Sequence, residues 1–256
     1  MHDHRTVFGT VERDYWTEAA GLKPDERALI ERYLDRDAST LEAGTGGGRI
    51  LGEMRELGFT ALAGFDFVPE LIAEARRNEP SGEIGFDVQD ATRLAYQDAS
   101  FDQVIYLQQL LSSIEDARDR GRVLAEAFRI LKPGGMALFS VLPFEVRASS
   151  ARHRPYLLYL RALRRLRGAS RPKQLLPRLR MRGRPSAGAL RDTGPHVYWY
   201  RAEEIEAELA AAGFEIAAIG TTPQVVSGRM PSSAGALGAE DLAGTLYVAC
   251  SRPANA

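Results

Sequence analysis

The stretch from Leu41 to Ile50 constrains the fold more than any other part of this sequence. It reads Leu-Glu-Ala-Gly-Thr-Gly-Gly-Gly-Arg-Ile, a short strand that runs into a glycine-rich loop. Glycine adopts positive φ angles without steric cost, so such a loop turns tightly and brings its N–H groups close to a ligand. A helical pattern follows, with one apolar face at Ile50, Leu51, Met54 and Leu57. A strand, a glycine loop and a helix amino end together predict a site for an anionic or polar head group.

Two nucleotide-binding families use a loop of this kind, and residue 49 distinguishes them. The dinucleotide fingerprint G-x-G-x-x-G requires glycine or alanine where this chain has Arg49. The alternative pattern, an acidic residue followed by three alternate glycines, is satisfied by Glu42, Gly44, Gly46 and Gly48. This pattern resembles motif I of the class I S-adenosylmethionine (SAM) methyltransferases, and the resemblance implies SAM as the cofactor.

Strands and helices alternate after the loop, which favours an α/β fold with a doubly wound, mostly parallel sheet. The second strand ends on Asp66, 20 residues after Gly46, where a carboxylate can accept hydrogen bonds from ribose hydroxyls. The same carboxylate could instead cap the next helix, whose first turn contains Pro69. We favour ribose binding because the glycine loop is already present.

Later segments extend the resemblance, which is good over residues 38–142 and loose over 198–250. Asp90 follows the third strand, where the family places an acidic residue that binds the adenine amine. The FD-x-V segment at Phe101 resembles motif II, and R-I-L-K-P-G-G resembles the turn before the fifth strand. The resemblance implies a Rossmann-like fold with seven strands and a cofactor site made of Glu42, Gly44, Thr45, Gly46, Gly48, Asp66, Phe67, Asp90, Ala91 and Gln108.

A basic insert at residues 147–195 interrupts the chain after the fifth strand. Between residues 147 and 191 there are thirteen arginines, one lysine and no acid, which leaves 19 basic against 34 acidic residues elsewhere. One interpretation is structural, in which the insert docks on the acidic body or on a partner subunit. The functional interpretations are that it binds an anionic acceptor or a membrane surface.

The insert also predicts a helix, which Pro155 opens and Gly168 closes. We expect its apolar face to turn inward over the acceptor, so that the insert selects the acceptor. The predicted inward face comprises Tyr156, Tyr159, Leu160, Leu163 and Leu166, with Arg154, Arg161 and Arg165 opposite.

The segments outside the central pattern complete one domain, residues 1–256. Residues 1–36 predict an N-terminal helical cap whose aromatic part, 7–16, either packs on a sheet edge or forms a lid over the donor. The C-terminal third predicts an aromatic segment at 196–200, a helix at 202–212, a strand at 214–220, a loop at 221–240 and a strand at 245–250.

Composition excludes several classes of protein. The formal net charge of −1 indicates no overall preference for nucleic acid or membranes. The single cysteine, Cys250, excludes an internal disulfide, and the histidines lack the spacing of a zinc site. Neither a signal peptide nor an apolar run of membrane-spanning length is present. We therefore expect a cytoplasmic protein without a bound metal.

Methyl transfer needs alignment and exclusion of water, and it needs a general base only if the acceptor arrives protonated. The candidate bases are His196, His153, Tyr198 and Glu145, of which we select His196. The leading hypothesis is an O- or N-methyltransferase acting on a small molecule or a glycan. RNA methylation and a SAM-binding regulatory module remain alternatives, Arg49 disfavours a nicotinamide dehydrogenase, and a homodimer is left open.

Overall fold

The computed structural model of this chain describes residues 21–181, 184–238 and 242–255. The proposed lid at residues 7–16 lies outside these ranges. The elements of the central body are α1 (Pro24–Tyr33), β1 (Thr40–Ala43), α2 (Arg49–Glu56), β2 (Leu62–Asp66), α3 (Pro69–Asn78), β3 (Gly85–Val88), β4 (Phe101–Tyr106), α4 (Ala117–Ile130) and β5 (Leu131–Pro143).

The remaining elements belong to the insert and to the C-terminal third. They are α5 (Phe144–Ser149), α6 (Arg154–Leu166), β6 (Leu175–Pro177), β7 (Arg180–Met181), β8 (Arg184–Pro185), α7 (Ala187–Leu190), β9 (His196–Tyr200), α8 (Ala202–Ala211), β10 (Glu215–Thr221), α9 (Thr222–Ser227) and β11 (Leu246–Ser251).

The central sheet has the strand order β10-β11-β5-β4-β1-β2-β3. Its neighbours from β5 to β3 are parallel, whereas β11 is antiparallel to both β10 and β5. This confirms the predicted doubly wound, mostly parallel arrangement of seven strands. The chain moves outward from β1 through β2 to β3 and then returns to place β4 on the other side of β1. Open α/β sheets bind ligands at the carboxyl ends of the strands beside such a reversal.

Two apolar cores cover the two faces of the sheet. One face packs against α4 and α8 through residues such as Val123, Leu124 and Leu209. The other face packs against α1, α2, α3 and α9, with Ile50 and Ile72 at its centre. The predicted helix at Pro24 is confirmed as α1, and its Leu29 and Ile30 are fully buried.

The C-terminal third contains structure that the sequence interpretation missed. The predicted loop at 221–240 was wrong at its start, because α9 occupies Thr222–Ser227 and ends at Gly228. The aromatic segment forms β9, which pairs in parallel with the end of β5 through Leu142 and Trp199. Strand β6 pairs antiparallel with β9, so the insert extends the sheet at its carboxyl edge.

The prediction of which face of α6 turns inward was partly wrong. Leu160 is buried, but Leu166 is 86% exposed and Tyr159 is 44% exposed. Arg164 is buried instead: its Nε and Nη2 donate to the two carboxylate oxygens of Asp192 at 2.8 and 2.7 Å. Its Nη1 and Nη2 also donate to the carbonyls of Pro172 and Leu175. A buried ion pair with all of these hydrogen bonds therefore clamps α6 to the rest of the insert.

Within the described ranges, no helix combines the length and the apolar character needed to cross a bilayer.

Candidate active site

The glycine loop leaves the carboxyl end of β1 and has the backbone geometry that the sequence predicts. Gly44, Gly46 and Gly48 have φ angles of 66°, 55° and 80°. A Cβ on Gly48 would lie 3.0 Å from the Phe86 ring, so glycine also lets α2 begin close to β3. The loop therefore turns at the carboxyl edge of the sheet beside the strand-order reversal.

Glu42 lies beneath this loop and is 1% exposed. Its Oε2 accepts a hydrogen bond of 2.7 Å from the Thr45 hydroxyl, and the Thr45 N–H donates to the Phe65 carbonyl at 3.0 Å. Burial raises the pKa of Glu42 from 4.5 to about 8, although the bond from Thr45 opposes this rise. The carboxyl is therefore mostly protonated at neutral pH, and a nearby cation would favour its ionisation.

Asp66 joins the loop to the end of β2. Its Oδ2 accepts the Gly46 N–H at 3.1 Å, and its Oδ1 accepts the Val68 N–H at 3.0 Å. Asp66 is 6% exposed, and burial raises its pKa against the effect of these N–H donors. Phe67 lies between Asp66 and Val68, directly before α3. A third backbone N–H, that of Phe67, also bonds this carboxylate. A carboxylate offers about four lone-pair sites, so binding of a ribose hydroxyl is compatible with the bonds that hold the loop.

Asp90 stands at the same edge, after β3. The backbone N–H of Gln89 donates to the Asp66 carbonyl at 3.0 Å, which brings the two acidic positions together. The Asp90 Oδ1 accepts both the N–H and the hydroxyl of Thr92, at 2.9 and 2.8 Å. Within the described part of the chain its Oδ2 accepts no hydrogen bond, so it is available to a ligand. Ala91 follows it and is half-buried.

The segment after β4 carries local strain. Gln108 and Gln109 have φ angles of 59° and 58°, which non-glycine residues rarely adopt. Each such residue costs roughly 1–2 kcal/mol, so the surroundings must hold the segment in place. The N–H of Gln109 donates to the Ser140 hydroxyl at 2.9 Å, and its side-chain amide reaches the Thr245 hydroxyl at 3.3 Å. The half-buried Gln108 therefore occupies a fixed position beside the glycine loop.

The predicted cofactor residues thus gather at the carboxyl ends of β1, β2, β3 and β4, which are neighbours in the sheet. Leu110 closes the group from the β4 side, because a Cβ on Gly44 would lie 2.7 Å from its Cδ1. Their role in binding stays a prediction. Two carboxylates and a buried carboxyl suit a cationic ligand with hydroxyl and amino groups better than they suit a phosphate.

His196 begins β9 and lies in a different polar cluster. It is 3% exposed, and its Nε2 is 2.9 Å from the Arg171 Nη1 and 3.3 Å from the Asp192 Oδ1. A guanidinium can only donate and a carboxylate can only accept, so the tautomer of His196 decides which of these two contacts is a hydrogen bond. The Nδ1 lies 4.0 Å from a Glu115 carboxylate oxygen. The assignment of His196 as a base stays a prediction, although these contacts favour a positioning role.

The other candidate bases are more dispersed. His153 lies before α6, where its Nδ1 contacts the Ser150 hydroxyl, and burial together with Arg147 and Arg152 lowers its pKa. The Tyr198 hydroxyl donates to Glu204, which with burial raises its pKa. A phenol held in this way is a poor base at neutral pH.

Three buried polar atoms without partners mark the junction between β5 and the insert. They are the Glu145 Oε2, the Arg147 Nε and the Trp199 Nε1, and none has a hydrogen-bond partner among the described residues. The Arg147 guanidinium stacks 5.0 Å from the Trp199 ring centroid, and burial lowers its pKa. Buried polar atoms normally find partners, so this set at the ligand-binding edge of the sheet makes the junction a candidate binding site.

The sequence interpretation missed the anchor of the loop on its outer side. Arg49, which argued against a dinucleotide fingerprint, donates to both carboxylate oxygens of Glu26 at 2.8 and 3.0 Å. The neighbouring Asp25 accepts the hydroxyls of Thr222 and Tyr247. The only sequence signal for this anchor was the pair of acidic residues, Asp25 and Glu26, in the first turn of the helix predicted at Pro24. Among the described residues, no cluster of His, Cys, Asp and Glu could hold a metal ion.

Comparison with known proteins places this site in context. The family described as "Methyltransferase domain" matches residues 41–139. A similar curated protein is the ubiquinone/menaquinone biosynthesis C-methyltransferase UbiE of Desulfotalea psychrophila, 35% identical over 43% of this chain and 44% of that protein. The chain spans about half the length of the first curated relatives it matches, which are demethylmenaquinone methyltransferases.

Solved structures resemble the fold over most of its length. A SAM-dependent methyltransferase of Methanosarcina mazei has a TM-score of 0.66 at 22% identity, with 88% of this chain and 97% of that chain covered. The 1,6-didemethyltoxoflavin-N1-methyltransferase of Burkholderia thailandensis, solved with its substrate and S-adenosylhomocysteine, has a TM-score of 0.58 at 19% identity. That comparison covers 97% of this chain and 84% of the other. At these identities the likeness establishes the fold.

Proposed function

We propose that this protein methylates a small-molecule acceptor with SAM as the donor, from the premise that its residues 41–139 match the family described as "Methyltransferase domain". The observation that carries the proposal is the Asp66 carboxylate, which binds the Gly46 N–H while standing at the end of β2. It couples the glycine loop to an acidic position that can accept hydrogen bonds from ribose hydroxyls.

The residues at this edge fit SAM by their chemistry. Asp66 would hold the ribose, Asp90 the adenine amine, and the glycine loop together with Glu42 the polar end of the donor. Bound SAM supplies an activated sulfonium methyl group. The chain's own contribution is to align an acceptor with that methyl group and to exclude water, for which the rigid Gln108–Gln109 segment and Leu110 are well placed.

The acceptor side, in this proposal, lies between the end of β5 and the insert. The unpaired Glu145 Oε2, Arg147 Nε and Trp199 Nε1 are two donors and one acceptor that a polar ring substituent could satisfy. The aromatic face of Trp199 would stack on a planar ring. Arg147 belongs to the insert, and Glu145 and Trp199 flank it. These groups therefore support the hypothesis that residues 147–195 help to select the acceptor, with O- or N-methylation of a small molecule or glycan as the leading reaction.

C-methylation of a quinone-like ring is the second candidate. Its support is the resemblance to the UbiE C-methyltransferase of Desulfotalea psychrophila, which is 35% identical over 111 residues. A phenolic ring would bring its own electron-rich carbon, and the protein would have to remove only a ring or hydroxyl proton.

A screen for S-adenosylhomocysteine release tests the proposal. Purified protein is incubated with SAM and separate pools of phenols and quinols, amines, sugars and RNA. A methyl group labelled with carbon-13 then identifies the accepting atom, because O-, N- and C-methyl resonances are separate. Release with a small-molecule pool is expected. Turnover only with RNA would favour the RNA alternative, and tight SAM binding without release in any pool would favour a regulatory module.

Two variants then locate the acceptor side. Trp199→Phe keeps an aromatic ring and removes the unpaired N–H, and Glu145→Gln keeps the shape and removes the charge. Both should change the KM for the acceptor and leave SAM affinity near that of the wild type. Equal effects on both ligands would argue against an acceptor site at this junction.

A further inference from the structure

The outward face of α6 carries a stripe of exposed apolar side chains. Leu158, Tyr159 and Leu166 are 66%, 44% and 86% exposed, and Ala162 lies between them on the same face because these residues recur at helical spacing. Leu190 is 61% exposed and adjoins the stripe, since the Tyr159 hydroxyl donates to its carbonyl at 2.6 Å. Elsewhere in the described ranges only Val88 and Val226 are large apolar side chains with comparable exposure.

Internal packing does not account for this stripe. The opposite face of α6 already packs through Leu160 against Phe144 and Leu176. The Arg164–Asp192 clamp fixes the rotation of the helix, so that the stripe points away from the body. An apolar helix face held outward in this manner marks an interaction surface.

Arginines form one border of the stripe. Arg154, Arg161 and Arg165 are exposed and make no ion pair with any described residue, in contrast to Arg164 and Arg171, which both pair with Asp192. No acidic residue occurs between positions 147 and 191. The surface therefore combines apolar side chains with uncompensated positive charge.

We propose that α6 docks this face on an anionic lipid membrane, with the helix axis in the plane of the surface. Leu158, Tyr159 and Leu166 enter the boundary between head groups and acyl chains, while Arg154, Arg161 and Arg165 contact lipid phosphates. Arginine suits this task because its planar guanidinium binds phosphate oxygens in a bidentate manner. The charge complementarity selects an anionic bilayer over a neutral one.

A lipid surface explains this pattern better than nucleic acid does. Phosphate recognition would use the arginines and leave Leu158 and Leu166 without a role, because single-strand readers stack bases on aromatic rings. The one exposed aromatic residue of the stripe, Tyr159, has its hydroxyl tied to the backbone of the insert. The inference does not depend on the proposed methyl transfer, although docking at α6 would place the carboxyl edge of the sheet close to the bilayer.

Vesicle co-sedimentation of the full chain tests the proposal. The wild type should bind vesicles of phosphatidylcholine with phosphatidylglycerol, should not bind phosphatidylcholine alone, and should dissociate as salt rises. Replacing Arg154, Arg161 and Arg165 with Gln should weaken binding by about a hundredfold, the effect expected for three basic residues at an anionic surface. Leu158→Gln with Leu166→Gln should weaken it by at least tenfold.

Matched controls keep the comparison specific. Val88→Gln with Val226→Gln removes exposed apolar residues outside the insert, and replacing Arg93, Arg118 and Arg229 with Gln removes three exposed arginines outside it. Neither control should change vesicle binding. All the substituted residues are exposed, so thermal unfolding should be unchanged in every variant.

A fluorescent label gives a readout of insertion. Cys250 is fully buried and burial raises the pKa of its thiol, so Leu166→Cys offers a single reactive thiol for an environment-sensitive dye. The dye should report an apolar environment on anionic vesicles, and the same dye at Val226→Cys should not.

Several results would overturn the proposal. Absence of wild-type binding to anionic vesicles would do so, as would binding that neither insert variant weakens. RNA binding lost in the arginine variant alone would make this a nucleic-acid surface. A dimer abolished by the Leu158 and Leu166 substitutions would make it a contact between two copies of this chain.

Discussion

The buried Glu42 carboxyl should make the stability of the ligand-free protein fall as pH rises. Its pKa is 4.5 in an unfolded chain and about 8 in the folded protein. Below pH 4.5 the group is protonated in both states, and above about pH 8 it is ionised in both states. Between these values only the unfolded chain is ionised, so unfolding releases a proton and rising pH favours it.

Glu42→Gln isolates this contribution. The amide oxygen can still accept the hydrogen bond that the Thr45 hydroxyl donates to the carboxyl, so the neutral form is closely mimicked. The gap between 4.5 and about 8 corresponds to about 5 kcal/mol, with a limiting slope of about 1.4 kcal/mol per pH unit. The variant should therefore resemble the wild type near pH 5 and become progressively more stable than it towards pH 8.

Urea unfolding of both proteins at a series of pH values measures the difference directly. Glu79→Gln is a control of opposite sign, because hydrogen bonds from Ser81 and backbone N–H groups lower the pKa of Glu79. Loss of the Glu79 carboxylate should lower the free energy of unfolding at neutral pH and lower it less in acid. A difference between Glu42→Gln and the wild type that stays constant across pH would refute the account of Glu42.

Two further substitutions, each with a matched control, test packing beside the glycine loop and in the insert. Gly64→Ala should destabilise the fold by about 1–3 kcal/mol, because its Cβ would lie 2.7 Å from Leu51 Cδ1 and 2.9 Å from Thr45 Oγ1. Gly85→Ala, with no atom nearer than 3.9 Å, should be neutral in the same urea titration. Arg164→Met leaves the buried Asp192 with only its longer contacts to Arg171 at 3.7 Å and His196 at 3.3 Å. It should cost about 3–5 kcal/mol, whereas the exposed Arg161→Met should change the unfolding free energy by less than about 0.5 kcal/mol. Equal losses for the two arginine variants would contradict the clamp.

The fold could be predicted from the sequence where local patterns specify the structure. The glycine loop, Asp66 and the turn at Gly134 each belong to a short segment with one favoured geometry, and their order specifies the sheet. Helix α9 also had a signal that the interpretation overlooked: Thr221 and Gln224 form a capping box, and Pro223 stands in the first turn.

The missed features depend on contacts between distant segments. Arginine is normally exposed, so the burial of Arg164 could not be predicted without its partner Asp192, the first acid after the basic run. Glutamine gives no sign that it will adopt positive φ, so the geometry of Gln108 and Gln109 depends on Ser140 and Thr245. His196 is isolated in sequence, and only the fold brings Arg171 and Asp192 to its Nε2.

The most direct test of the donor site is a thermodynamic cycle on Asp66. Calorimetry would compare S-adenosylhomocysteine with an analogue that lacks the ribose hydroxyls, each titrated into the wild type and Asp66→Ala. Loss of the carboxylate should weaken binding of the natural ligand by roughly ten- to a hundredfold, a loss of about 1.5–3 kcal/mol. The cycle is needed because Asp66 also holds the Gly46 and Val68 N–H groups, so the variant loosens the loop.

If Asp66 binds the ribose, the wild type discriminates against the deoxygenated analogue and a folded Asp66→Ala protein binds the two ligands equally. Equal discrimination in both proteins would contradict the assignment of Asp66, and failure of the wild type to bind S-adenosylhomocysteine would contradict the donor site itself.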